Sequence, residues 1–132
     1  MNSFLNGFIM LESHIEEKQR PNSSAVAQSR RALSVVKYDC GFHFYITLGN
    51  YTGVTATSLQ DLAQKMRTVS LDSIKFHFER GDFQRWIRYI FCDPELAERI
   101  GLISPEFSAE DLRKEIINKI ESRLIQLKEI AK

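Results

Sequence analysis

Residues 71–92 read LDSIKFHFERGDFQRWIRYIFC, and the reading of this stretch decides the fold. It holds Phe76, Phe78, Phe83, Trp86, Tyr89 and Phe91, a dense share of a chain with nine Phe, four Tyr and one Trp. Ile74, Phe76 and Phe78 alternate with Lys75, His77 and Glu79, which is a strand pattern. Leu71, Ile74 and Phe78 also share one helical face. Ser70 ahead of them is a good N-cap, and Gly81 behind them is a natural helix stop, so helix is the better reading. Asp82 is then expected to cap a second helix, in which Phe83, Trp86, Ile87, Tyr89 and Ile90 follow the helical repeat. Residues 71–92 become two short helices folded about Gly81, with one histidine set among aromatic rings.

Upstream, Phe42, Phe44, Ile46 and Leu48 alternate with His43, Tyr45 and Thr47. A period of two predicts a strand with one apolar face. Gly49-Asn50 suits a tight turn, and Tyr51–Ala56 returns as a second strand in which Gly53 marks a bulge. Ser58 and Asp61 have the spacing of a reciprocal helix cap, and Leu59, Leu62, Ala63 and Met66 give that helix its apolar stripe. Downstream, Asp93-Pro94 opens a short helix through Leu96, Ala97 and Ile100. Ser108 and Asp111 repeat the cap before Leu112, Ile116, Ile120, Leu124 and Leu127, on a helix that reaches Ala131. At ~1.5 Å per residue it is roughly 30 Å long, and its broad apolar face must be covered by something.

Residues 1–36 read as an N-terminal extension. Phe4, Phe8, Leu11 and Ile15 are spaced for an amphipathic helix over Ser3–Arg20. Pro21-Asn22-Ser23-Ser24 reads as a break, and Ala25–Val36 as weakly helical. Residues 37–132 form the single compact domain. The expected class is α+β, mainly helical: an N-terminal β-hairpin, then a small helical bundle with a long C-terminal helix.

The totals exclude several functions. Eighteen Lys and Arg against seventeen Asp and Glu leave a net charge of +1. Nucleic-acid binding leans on phosphate contacts and a basic excess, so it is disfavoured; Arg30, Arg31 and Lys37 are its best carriers. The two cysteines, Cys40 and Cys92, lie far apart and outside any CxxC, which argues against a disulfide framework or a zinc site and for reduced, partly buried thiols. No metal or cofactor is expected. The apolar start is short, lacks a basic leader and is followed by Glu12, Glu16 and Glu17, so no membrane span is expected and the cytoplasm is the expected compartment.

His77 is the sharpest candidate for chemistry. A side chain that titrates near neutrality suits acid–base work or a pH switch. Asp82 is placed to orient it, and Glu79 or His43 to complete a cluster. The plainer alternative, a buried histidine that locks two helices through one hydrogen bond, is favoured. His77-Phe78-Glu79 has the His-x-Glu of zinc deaminases but not their downstream Pro-Cys-x-x-Cys. Trp86 with Phe83 and Tyr89 reads as core before it reads as a stacking platform. Arg80, Arg85 and Arg88 would line an anion site, but with Glu79 and Asp82 beside them an ion-paired surface is the simpler reading. The ligand-binding candidates are therefore His77, Asp82, Trp86, His43 and Arg80, with no catalytic residue assigned.

The order of these motifs resembles a known family. An aromatic strand, Tyr51-Thr52-Gly53 to Ala56, Leu59-x-x-Leu62, Ile74-x-x-His77, Asp82-Phe83-x-x-Trp86-Ile87, Glu95-Leu96-Ala97-Glu98 and Ser108 to Leu112-Arg113 together look like an uncharacterised prokaryotic family, domain of unknown function 5752. The resemblance covers roughly residues 41–127. It implies a longer insert between the histidine and the Asp-Phe pair in many such domains, where this chain has only Phe78-Glu79-Arg80-Gly81. No activity comes with the resemblance, but it draws attention to His77, Asp82 and Trp86. The leading functional expectation is a non-catalytic interaction or regulatory module that binds a protein partner or itself. The alternative is a small-molecule-binding domain or enzyme centred on His77, acting on sugars or phosphorylated metabolites.

Overall fold

A computed structural model describes residues 22–132; the helix expected over Ser3–Arg20 lies outside them. Helix α1 (Ser23–Ala32) comes first, then a 3-10 turn at Tyr38–Cys40 and a hairpin of β1 (Phe42–Thr47) and β2 (Asn50–Ala56). Five helices follow: α2 (Leu59–Met66), α3 (Leu71–Arg80), α4 (Asp82–Ile90), α5 (Pro94–Gly101) and α6 (Ala109–Ala131). The fold is α+β and mainly helical, with a long last helix.

Local side-chain caps start most of these helices. Ser58 accepts from the Asp61 amide, Ser70 from Ser73, Asp93 from Leu96 and Ser108 from Asp111. Each bond satisfies an amide that has no partner within its helix. The Asp61 carboxylate reaches back to the Thr57 amide at 3.1 Å. Two local expectations need correction. Asn22–Ser24 is not simply a break, because Asn22 caps α1 by accepting from the Ala25 amide at 2.7 Å. Asp82 does not cap α4: Gly81 holds that position, and no side chain caps the helix. Gly81 has φ 73°, and as both the C-cap of α3 and the N-cap of α4 it leaves no loop in which a capping aspartate would stand. Asp82 falls inside the first turn, and its carboxylate is released for other partners. Gly81→Ala forces a Cβ into the left-handed region and should cost ~1–2 kcal/mol; an unchanged urea midpoint would count against this account of the α3–α4 corner.

The hairpin is antiparallel and irregular. Phe42 pairs with Ala56, His43 with Thr55, Tyr45 with Tyr51 and Thr47 with Asn50. Between the second and third pairs β1 advances from 43 to 45 while β2 retreats from 55 to 51, so Thr52–Val54 bulge, with Gly53 at φ 87°. The turn is Leu48-Gly49 and not Gly49-Asn50: Gly49 takes the positive φ of 76°, and Asn50 already belongs to β2.

One core joins these elements. Phe42 and Phe44 point inward from β1 onto α3 and α4, beside Ile74, Phe78, Phe83 and Ile87. Helix α6 buries Leu112, Ile116, Ile117, Ile120, Leu124 and Leu127 and packs on α1, α2, α3 and α5. The face made by these residues is thus covered within the chain, while Ile125 at its margin is left exposed. Helix α1, part of the expected extension, contributes Ser29 and Ala32 to the buried interior. Arg123 of α6 binds the buried Asp93 carboxylate through Nε at 3.0 Å and Nη2 at 3.1 Å, tying the last helix to the start of α5. Among the described residues no helix is long and apolar enough to cross a membrane.

Candidate functional site

Strand alternation decides what faces the site. With Phe42 and Phe44 in the core, His43 and Tyr45 stand on the opposite face of β1. Helix α3 packs against β1 and brings His77 among Phe42, Phe76 and Phe83, with ring centroids 4.7, 5.0 and 5.8 Å away. His77 is 4% exposed. Both of its nitrogens are used. The Tyr45 backbone N–H donates to Nε2 at 2.8 Å, which makes Nε2 the acceptor; Nδ1–H then donates to Asp82 Oδ2 at 2.8 Å. The ring is neutral and clamps β1, α3 and α4 together. Asp82 is shared further: Oδ2 accepts from Arg80 Nε at 3.1 Å, and Oδ1 accepts from Arg85.

Burial pushes the His77 pKa below its ordinary 6.5, although the hydrogen bond and charge of Asp82 pull the other way. For Asp82, burial acts to raise the pKa, but the hydrogen bonds from His77, Arg80 and Arg85 prevail and hold it below the usual carboxylate value. Protonating His77 would set a second N–H against the Tyr45 amide. An unfolded chain therefore takes up this proton at a higher pH than the folded one, and stability rises with pH across the interval. The His77 contribution is complete above the unfolded value of about 6.5 and is lost as pH falls through the lower folded value. In urea titrations the free energy of unfolding should decline below pH 6.5, by at most ~1.4 kcal/mol per pH unit from this one proton. His77→Gln should flatten that decline, and a slope unchanged in the variant would refute the assignment. Asp82 has the same sign but acts only below about 3.8.

Above the clamp lies an open cleft of about 430 Å³. His77 and Asp82 contribute to its floor with Phe42; His43, Tyr45, Leu48, Phe76 and Arg80 surround it. Four of the five residues singled out from sequence, His43, His77, Arg80 and Asp82, thus meet in one concavity. Trp86 does not join them. It is 9% exposed, packed edge-on against Phe42 and Phe91, and its Nε1–H donates to the Cys40 carbonyl at 2.8 Å. Tyr89 is 70% exposed, so Phe83, Trp86 and Tyr89 form no shared platform. Glu79 pairs with Lys75 at 3.9 Å, away from Asp82. Arg31 gives its guanidinium to the Ile90 carbonyl. Cys40 and Cys92 are free and exposed rather than partly buried.

One constellation escaped the sequence reading. Tyr38 and Tyr51 share a hydrogen bond through their hydroxyls at 3.0 Å, Tyr51 another with Thr55 Oγ1 at 2.5 Å, and Thr55 a third with His43 Nδ1 at 2.7 Å. A hydroxyl chain thus runs from the exposed Tyr38 to a histidine at the cleft. The alternation of His43 and Tyr45 with two core phenylalanines signalled this face. Its partners on β2 were hidden by the bulge.

Such a hairpin-and-bundle domain, with a histidine–aspartate clamp beneath a half-aromatic cleft, defines a small α+β module. Residues 39–132 match the family described as "Family of unknown function (DUF5752)", and the chain belongs to that family. No curated protein and no solved structure matches it.

Proposed function

We propose that this protein is a non-catalytic small-molecule-binding module, and that the cleft over His77 is its ligand site. The observation that carries this reading is the convergence of His43, His77, Arg80 and Asp82 in one cleft with aromatic walls. A mostly apolar concavity with a few convergent polar groups, a few hundred Å³ in size, is the usual form of a ligand pocket. Binding is favoured over catalysis at His77 because a general base needs an available lone pair, and that of Nε2 is already engaged by Tyr45. The Asp82 carboxylate is likewise divided among three donors.

The protein-interaction reading, the leading expectation from sequence, drew on the long helix, most of whose apolar stripe is used internally. A second hollow, of about 560 Å³, lies beside Leu102, Ile103 and Phe107, but no clamp or histidine lines it. Unpaired thiols at Cys40 and Cys92 support a reducing, cytoplasmic setting. Protein-observed NMR with a fragment library tests the proposal. Hits should shift the amides of Tyr45, Phe76 and Arg80; hits confined to the Leu102–Phe107 hollow would overturn it.

A further inference from the structure

We infer that the ligand of this cleft carries an oxyanion, a carboxylate or phosphate, on an apolar body, and that Arg80 receives it. The inference rests on the cleft being a ligand site and adds what that ligand must look like. Arg80 is held in place from two sides. Its Nε–H donates to Asp82 Oδ2 at 3.1 Å, and its guanidinium carbon stands 5.2 Å from the centroid of the Phe76 ring. Among the described residues its two terminal nitrogens donate no hydrogen bond, so one edge of a planar donor fork is left for something else. An arginine fixed in this way has lost part of its rotamer freedom before a ligand arrives, which lowers the ordering cost of binding. Its fork geometry suits a carboxylate or phosphate better than it suits a neutral acceptor.

Charge bookkeeping around the cleft points the same way. Asp82 is the one acid in its lining. It is bound by two guanidinium groups, Arg80 and Arg85, and by a neutral histidine. Arg80 balances Asp82 within the lining, and Arg85, which stands outside the lining, adds one positive charge on the same carboxylate. Glu79, the nearest acid along α3, is occupied by Lys75. Apart from His43, the rest of the wall is apolar or aromatic: Phe42, Tyr45, Phe76 and Leu48, the last 76% exposed at the hairpin turn. A bare inorganic anion would leave these surfaces in water. A molecule with a flat apolar body and one anionic end would cover them while meeting Arg80.

The test uses the full chain and three probes matched in size: benzoate, phenyl phosphate and the neutral benzamide. Binding is followed by NMR titration at low salt, with the Tyr45, Phe76 and Arg80 amides as reporters. One or both anions should bind at least about tenfold more tightly than benzamide, ~1.4 kcal/mol, and which of the two is preferred separates a carboxylate site from a phosphate site. Arg80→Gln should abolish that preference, bringing the anions down to the level of benzamide in the same variant. Arg80→Lys, which keeps the charge without the fork, should restore only part of it. Equal binding of anions and benzamide, or a preference that survives Arg80→Gln, would overturn the oxyanion inference while leaving the cleft a ligand site. If no probe shifts the cleft amides at millimolar concentration, both readings fail. Amide dispersion of each variant, checked beforehand, shows that a lost preference is not a lost fold.

Discussion

Trp86→Ala is expected to lower the free energy of unfolding by ~3–5 kcal/mol, the range for removing a large buried aromatic side chain. Three losses combine. The indole leaves a space between Phe42 and Phe91, whose rings stand 5.6 and 4.8 Å from it. The edge-on aromatic contacts disappear. The Cys40 carbonyl loses the indole N–H that reaches it across forty-six residues. Trp86→Phe separates the parts: it refills most of the volume but not the hydrogen bond, so it should cost ~1–3 kcal/mol. Urea denaturation of both variants checks the pair. A loss below ~1 kcal/mol for the alanine variant would show that Trp86 is not the wedge between hairpin and α4.

His77→Ala should cost roughly 2–4 kcal/mol, as a buried ring is truncated and the Tyr45 N–H is orphaned. This is large for a polar residue and follows from its position as a three-element clamp. Removing the clamp should also loosen the cleft, since Tyr45 and Asp82 both take their places from it. Chemical denaturation gives the magnitude. Hydrogen exchange at the Tyr45 amide gives the mechanism, because that N–H should exchange much faster in the variant. A variant as stable as the parent would mean that the histidine is tolerated here rather than required.

How much of this was legible in the sequence depended on range. Ser58, Ser70, Asp93 and Ser108 could be named as helix starts because each bonds an amide only three residues away. The choice of helix over strand for 71–80 rested on similarly local signals at Ser70 and Gly81, and α3 spans those residues. Asp82 had the composition of a cap, yet the left-handed Gly81 left no loop for it, and its acid group went to His77 instead. That His77 and Asp82 would be partners was readable from their closeness in the chain. That Tyr45 would occupy the other ring nitrogen was not, because the bond spans thirty-two residues and comes from a backbone atom that carries no sequence signal. The hydroxyl chain on the hairpin failed to show for another reason. A bulge at Thr52–Val54 breaks the simple count that would set Tyr51 and Thr55 beside His43.

The bond from Arg31 to the Ile90 carbonyl has a consequence for how the molecule opens. The guanidinium supplies, from fifty-nine residues away, a donor to an acceptor at the C-terminal end of α4, where helix carbonyls lack partners of their own. Fraying of the final turn of α4 therefore gives up a bond to α1, and lifting α1 from α6 gives up the same bond, so the two openings share one cost although they lie at distant points in the chain.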